Sequence, residues 1–267
     1  MSDLPPYYQD EAVKLYHGDC RTVLPRLDIH PALVITDPPY RSLDIDVIRG
    51  TTTRLVGGRN GRGGERIGSV NRGWFPTLGD EEITVSLAAL RDLLIPTGAL
   101  YVFCDVKTGL RILPGLNPAN VLIWDKIHIG MGYNWRRTHE WVGYFPKPDH
   151  QLRSATLGDI IRCPSVDNKQ HPTEKPLSVL YPLIVNSSDV GQLILDPFAG
   201  SGSILRAAKD LGRKAVGIEY EERYCEIAAA RMRQEVLRYD ASAAKDVDDP
   251  HCLTAGSGQL GLTGLAR

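Results

Sequence analysis

Apolar residues along this chain fall into two regimes. Short uninterrupted runs at 32–36, 99–104, 120–124, 192–195 and 214–218 have the length and composition of strands buried in a parallel sheet. Residues 12–16 alternate and predict another strand, as do 140–145, where Trp141 and Phe145 read as core. Between the runs, apolar positions recur at helical spacing. Residues 80–94 carry Ile83, Leu87, Leu90 and Leu94 on one face, with Asp80 placed to cap them. Residues 221–237 carry Tyr224, Ile227, Ala228, Met232 and Val236 in the same way. Shorter helices are expected over 21–27, around Leu110 and Leu113, over 203–211, and from Pro176 to about 185, proline being favoured at a first helical position. Strands alternating with helices predict an α/β fold, a Rossmann-like, mostly parallel twisted sheet flanked by helices.

Four stretches break the pattern. Residues 1–11 read as a loose arm, and 147–170 are polar and irregular. Residues 41–79 hold nine glycines and seven arginines against three acids, a surplus of about four positive charges with little apolar periodicity. A long loop of that composition is expected to be a phosphate-contacting insertion, with Arg49, Arg54, Arg59, Arg62, Arg66 and Arg72 as its contacts. From Asp240 the composition collapses into Ala, Ser, Asp, Gly and Thr, and 240–267 is expected to be a disordered tail behind a single domain over 1–239.

Composition narrows the class. A formal net charge of −1 over 267 residues excludes a uniformly basic nucleic-acid binder but leaves room for local basic patches. A second patch follows residue 126, where Arg136, Arg137 and His139 stand among Tyr133, Trp135 and Trp141, a mixture suited to phosphates and bases. The five cysteines are widely spaced with no C-x-x-C pair, so reduced thiols in a cytoplasmic protein are expected, without a metal site. No signal-peptide pattern and no membrane-spanning run is visible.

Candidate chemistry sits where strands end. The run at 32–36 closes in Asp37-Pro38-Pro39-Tyr40, at the carboxyl edge where open α/β sheets bind ligands. An acid, carbonyls freed of competing donors by two prolines, and a flat ring suit an amino group on a planar heterocycle. The run at 192–195 closes in Asp196-Pro197-Phe198-Ala199-Gly200-Ser201-Gly202 and opens a helix, a glycine turn that lets a nucleotide-like ligand approach backbone. The next strand ends at Glu219, followed by Tyr220, and an acid at about this spacing is the usual partner of a ribose diol. Asp19-Cys20 follows the strand at 12–16, where Asp19 reads equally as a helix cap. His171 and Lys175 approach the helix that begins at Pro176.

Taken together, these motifs resemble the DNA amino-methyltransferases that use S-adenosylmethionine, in the permuted group where the catalytic half precedes the cofactor half. Asp37-Pro38-Pro39-Tyr40 is similar to that family's catalytic D-P-P-Y, and residues 196–202 to its cofactor loop. His171-Pro172-Thr173-Glu174-Lys175-Pro176 resembles its H-P-T-x-K-P element, and Gly18-Asp19 its G-D near the adenine. Residues 126–147, with Arg137-Thr138-His139-Glu140, resemble its later strand and hairpin. The resemblance spans roughly 12–237 and makes Asp19, Cys20, His171, Thr173 and Lys175 expected cofactor contacts.

What the resemblance implies is methyl transfer to the N6 amine of adenine in flipped-out DNA, since aspartate in the first motif position is more usual for adenine. Alternatives are N4 of cytosine, a catalytically silent DNA-binding partner subunit, and an amide methyltransferase of protein or RNA. DNA is the implied partner; a second copy of the chain and a restriction endonuclease of the same system are further partners the family allows. The chain departs from many members in one respect. Only the interval 149–170 separates the hairpin from His171, where those members carry a long target-recognition region.

Overall fold

The computed structural model describes residues 4–40, 78–128, 135–166 and 174–234. The elements in chain order are β1 (Tyr8–Gln9), β2 (Val13–His17), α1 (Cys20–Val23), β3 (Leu33–Thr36), α2 (Asp80–Leu93), β4 (Ala99–Cys104), α3 (Val106–Leu116), β5 (Asn120–Asp125), β6 (His139–Pro146), β7 (Ile160–Arg162), α4 (Leu177–Ser187), β8 (Leu193–Asp196), α5 (Ser203–Asp210), β9 (Lys214–Glu219) and α6 (Glu222–Met232).

The nine strands of the described residues join one sheet in the order β1-β2-β9-β8-β3-β4-β6-β5-β7. The five neighbours from β2 to β4 are parallel, so their carboxyl ends share one edge. β6 is antiparallel to both β4 and β5, and β7 is parallel to β5. The pleat divides each strand between two cores. Leu33, Ile35, Tyr101 and Phe103 pack on one face against Leu180 of α4, Leu205 of α5 and Ala228 of α6. Val34, Leu100 and Val102 pack on the other against Ile83 and Leu87 of α2 and Ile112 of α3. Burial on both faces explains why these strands are apolar without alternation.

Several local expectations change. The N-terminal arm contains β1, whose Tyr8 and Gln9 pair with Leu15 and Lys14. The helix expected over 21–27 stops at Val23 and tightens into a 3-10 turn over Leu24–Arg26, because Pro25 cannot donate into an α-helical ladder. Gly79, not Asp80, caps α2; its N–H donates to Glu82 Oε2 at 2.8 Å, while Asp80 pairs with Arg111 of α3. Of the two leucines expected to mark α3, Leu113 is buried beside Ile112 and Leu110 is exposed. The interval 147–170 contains β7, too short to announce itself by pattern. The tail at 240–267 and residues 41–77 of the arginine-rich insertion lie outside the described residues.

Candidate active site

The sheet changes direction between β8 and β3. From β8 the chain crosses through α5 to β9 on one side, and from β3 it passes to β4 on the other. Such a switch point opens a crevice at the carboxyl edge, because the two crossovers leave in opposite directions. The register sets Leu33 beside Ile194 and Val34 beside Leu195, so the segments after β3 and β8 emerge side by side. A cleft of about 970 Å³, open to solvent, lies there. Asp37, Pro38 and Pro39 line it, with Asp196, Pro197, Phe198, Ala199, Gly200 and Ser201 opposite. Gly18, Asp19, Cys20 and Arg21 enter from the end of β2, Glu219, Tyr220 and Glu221 from β9, and Glu174 and Lys175 from the approach to α4.

The glycine turn is built for close backbone approach. Gly200 and Gly202 have φ of +52° and +77°, a region that favours glycine. Gly202 is absent from the cleft lining; a Cβ there would lie 2.9 Å from Ala228 Cβ, so its role is to seat the start of α5 against α6. Glu219 holds the turn from beneath: Gly200 N–H donates to its Oε2 at 2.7 Å and Glu221 N–H to its Oε1 at 2.8 Å. Burial raises the Glu219 carboxyl above its usual range, with these backbone donors opposing. Asp196 is buried at the end of β8, its Oδ1 accepting from Phe198 N–H at 3.1 Å. Burial pushes its carboxyl up to about 8, against that hydrogen bond, with Glu219 and Asp37 adding to the rise. Asp19 caps α1 and pairs with Arg21 at 2.6 Å, which holds its carboxyl low, so cap and cleft position coincide in one residue. Burial pushes the Cys20 thiol up to about 11, leaving it protonated.

The Asp37 surroundings go beyond what its motif implies. Lys175 Nζ donates to Asp37 Oδ2 at 2.6 Å and to Glu140 Oε2 at 3.1 Å, and the other Glu140 oxygen pairs with Lys126. Lys175 thus sits on the acid of the first motif. Burial raises the Asp37 carboxyl, and the Lys175 ammonium is the largest influence opposing it. The two carboxylates hold Lys175 charged despite its burial. No sequence spacing points to this cluster, since Asp37 and Lys175 lie far apart in the chain. The available hint was Glu140, an acid in an apolar strand.

Two features of the proline platform also differ. Pro39 O accepts from Leu78 N–H at 3.0 Å, so that carbonyl is engaged within the chain. Tyr40 is buried in the α2 and α3 layer, paired in a short parallel bridge with Leu78, and is absent from the cleft lining. Among the described residues its hydroxyl has no hydrogen-bond partner. Among the described residues, the aromatic rings lining the cleft are those of Phe198 and Tyr220.

The second basic patch is partly committed to the fold. Arg137 pairs with Asp105 at 3.4 Å, Arg153 with Asp189 at 2.7 Å, and His150 Nδ1 lies 2.7 Å from Thr97 O. Tyr144 stacks on Tyr101, and Phe145 is buried as expected. Arg136 and Trp135 are exposed and His139 is half-buried at the start of β6. His171 and Thr173, like Arg49, Arg54, Arg59, Arg62, Arg66 and Arg72, lie outside the described residues. No helix among the described residues is long and apolar enough to cross a membrane, and no group of three or more His, Cys, Asp or Glu among them is placed to hold a metal ion.

A switch-point cleft with a glycine turn and a buried acid after the next strand defines an α/β protein built to take a nucleoside-like cofactor. Residues 153–230 match the N6/N4 methylase model, described as DNA methylase. The type II methyltransferase M.HhaII of Haemophilus parahaemolyticus is 29% identical over 193 residues, covering 68% of this chain and 79% of that protein. The M1.HpyAVI–SAM complex superposes with a TM-score of 0.61 at 18% identity, covering 83% of this chain and 100% of its own. The PvuII cytosine-N4-specific DNA methyltransferase does so with a TM-score of 0.61 at 15% identity, covering 86% and 90%. The chain is thus similar to the N6/N4 DNA methylases over residues 153–230 and to M.HhaII over 193 residues, and it shares the fold of solved DNA methyltransferases.

Proposed function

We propose that this chain transfers the methyl group of S-adenosylmethionine to the N6 amine of adenine in DNA, with the target nucleotide flipped into the cleft. The observation that carries the reading is that Asp37 and the Gly200-Ser201 turn line one cleft, although they lie at distant points of the chain. The lining fits the cofactor chemically. Carboxyl groups of Asp19, Asp196 and Glu219 suit its cationic and hydroxyl groups, and Gly200, at positive φ, presents backbone without a side chain. These residues, with Cys20, Pro197, Phe198, Ser201 and Tyr220, would hold it; His171 and Thr173 are proposed with them. The cofactor supplies an electrophilic methyl group on a sulfonium.

The chain's own residues make the amine reactive. An aromatic amine is a poor nucleophile because its lone pair is delocalised into the ring. Asp37, with the Pro38 carbonyl, would accept its two N–H bonds and localise the lone pair toward the methyl group. As the new N–C bond forms, the nitrogen sheds a proton, and Asp37, raised by burial, is placed to take it. Tyr40 acts here as support: its bridge to Leu78 fixes Pro38 and Pro39 from behind. Flipping a base costs a few kcal/mol, which contacts from Arg136, Arg137, His139 and the arginines of 41–79 to DNA phosphates would offset.

The test is methyl transfer by the purified chain into unmethylated DNA, with hydrolysis to nucleosides. N6-methyladenine is expected, and Asp37→Ala should bind cofactor yet transfer nothing. N4-methylcytosine instead would replace the base assignment, and full turnover by Asp37→Ala would remove the catalytic one.

A further inference from the structure

Four charges alternate in the order Asp37, Lys175, Glu140, Lys126, and the first two of them line the cleft. Each link is a direct contact: 2.6 Å from Asp37 Oδ2 to Lys175, 3.1 Å from Lys175 to Glu140 Oε2, and a short ion pair from Glu140 Oε1 to Lys126. Glu140 therefore spends its two oxygens on two different lysines. Its neighbours are stiff. Glu140 lies in β6, Lys126 follows β5, and Lys175 precedes Pro176, which caps α4. Aromatic rings wall the cations, with Lys175 Nζ 5.2 Å from the Phe103 ring centroid and Lys126 Nζ 4.9 Å from that of Trp124. Buried ion pairs of this kind add little net stability compared with apolar packing, so stability alone does not account for the row.

We propose that Lys175 is the fixed counter-ion of Asp37, and that Glu140, anchored by Lys126, is the positioning residue that confines the lysine to one Asp37 oxygen. The other oxygen is then kept for the substrate amine. The inference rests on the proposed methyl transfer and adds how its acceptor is kept ionised and half free. A buried carboxyl without a cation protonates and becomes a donor, useless to an amine that must donate. A lysine without the second carboxylate would settle across both Asp37 oxygens and exclude the amine. The groups bearing on Asp37 are Lys175 before α4, Glu140 on β6, Lys126 after β5 and Asp196 on β8, with Tyr40 and Cys104 close by and protonated.

The experiment follows the Asp37 carboxyl by carbon-detected NMR titration in the full chain without cofactor, beside methyl transfer measured across pH. Lys175→Gln should raise the Asp37 midpoint by about 1–3 pH units and carry the acid limb of kcat upward with it, while Lys175→Arg returns both toward wild type. Glu140→Gln should move the midpoint down, yet lower kcat across the whole pH range by roughly 10²-fold, with cofactor affinity retained. Should Lys175→Gln fail to fold, Lys126→Gln at the more exposed cation should give a smaller upward move. A midpoint indifferent to the lysines, or a Glu140→Gln protein with wild-type kcat, overturns the proposal. A wild-type chain that transfers no methyl group, with midpoints moving as stated, overturns the function and leaves the charge arrangement standing.

Discussion

Asp196→Asn should flatten the pH dependence of folding stability. In the folded chain the Asp196 carboxyl is buried and titrates near 8, against an ordinary value of 3.8. Between those values the unfolded chain has released the proton and the folded chain still holds it. The folded pKa is the higher one, so proton binding favours the native state, and that contribution fades as pH rises. The loss runs at about 1.4 kcal/mol per pH unit for one proton and reaches about 6 kcal/mol across the window, a large share of a stability of about 5–15 kcal/mol. Asparagine keeps an acceptor for Phe198 N–H and cannot titrate. Urea unfolding of both proteins near pH 5.5 and pH 7.5 isolates the residue, because every other group is common to the pair. The wild type should lose about 2–3 kcal/mol more than the variant over that interval. Equal losses would mean that Asp196 is ionised in the folded chain, and the account of its burial would fail. A cation bound in the cleft should draw the proton off, so cofactor should bind the wild type more tightly as pH rises through this range.

Gly202→Ala should cost about 2–4 kcal/mol, from a positive-φ position and a Cβ pressed against Ala228; thermal unfolding within a degree of wild type would contradict it. Arg231→Ala should weaken cofactor binding by roughly tenfold and spare kcat, because Arg231 ties Glu174 to Ser203 at the turn without lining the cleft itself; calorimetric titration with unchanged affinity would refute it. Arg136→Ala should lower the salt slope of DNA binding by about one. Arg137→Ala should do less, since its guanidinium already meets Asp105; equal slopes for the two would show that this pairing is given up on DNA.

The sheet was legible because β3, β4, β8 and β9 are buried on both faces and so read as plain apolar runs. The cleft was legible because its motifs sit at strand ends, and parallel pairing puts those ends together. β1 and β7 were not, since a strand of two or three residues owes its existence to a neighbour's free edge. Lys175 shows the limit more sharply. Its motif suggested a grip on the cofactor, whereas its place against Asp37 follows from where α4 docks, which no local pattern encodes. Tyr40 ends an acid-proline motif and so reads as a flat ring for the ligand; the bridge to Leu78 that turns it inward is a tertiary event.

The pairing of β2 with β9 sets Val13 beside Ala215. The earlier strand therefore waits for one synthesised long after it before it gains its parallel neighbour. Closing so long a loop is slow, and until then the Asp19 and Glu219 walls of the cleft remain apart. A nascent chain halted before β9 has no complete pocket, so cofactor could assist folding only at its last stage, as a clasp on a sheet already nearly assembled.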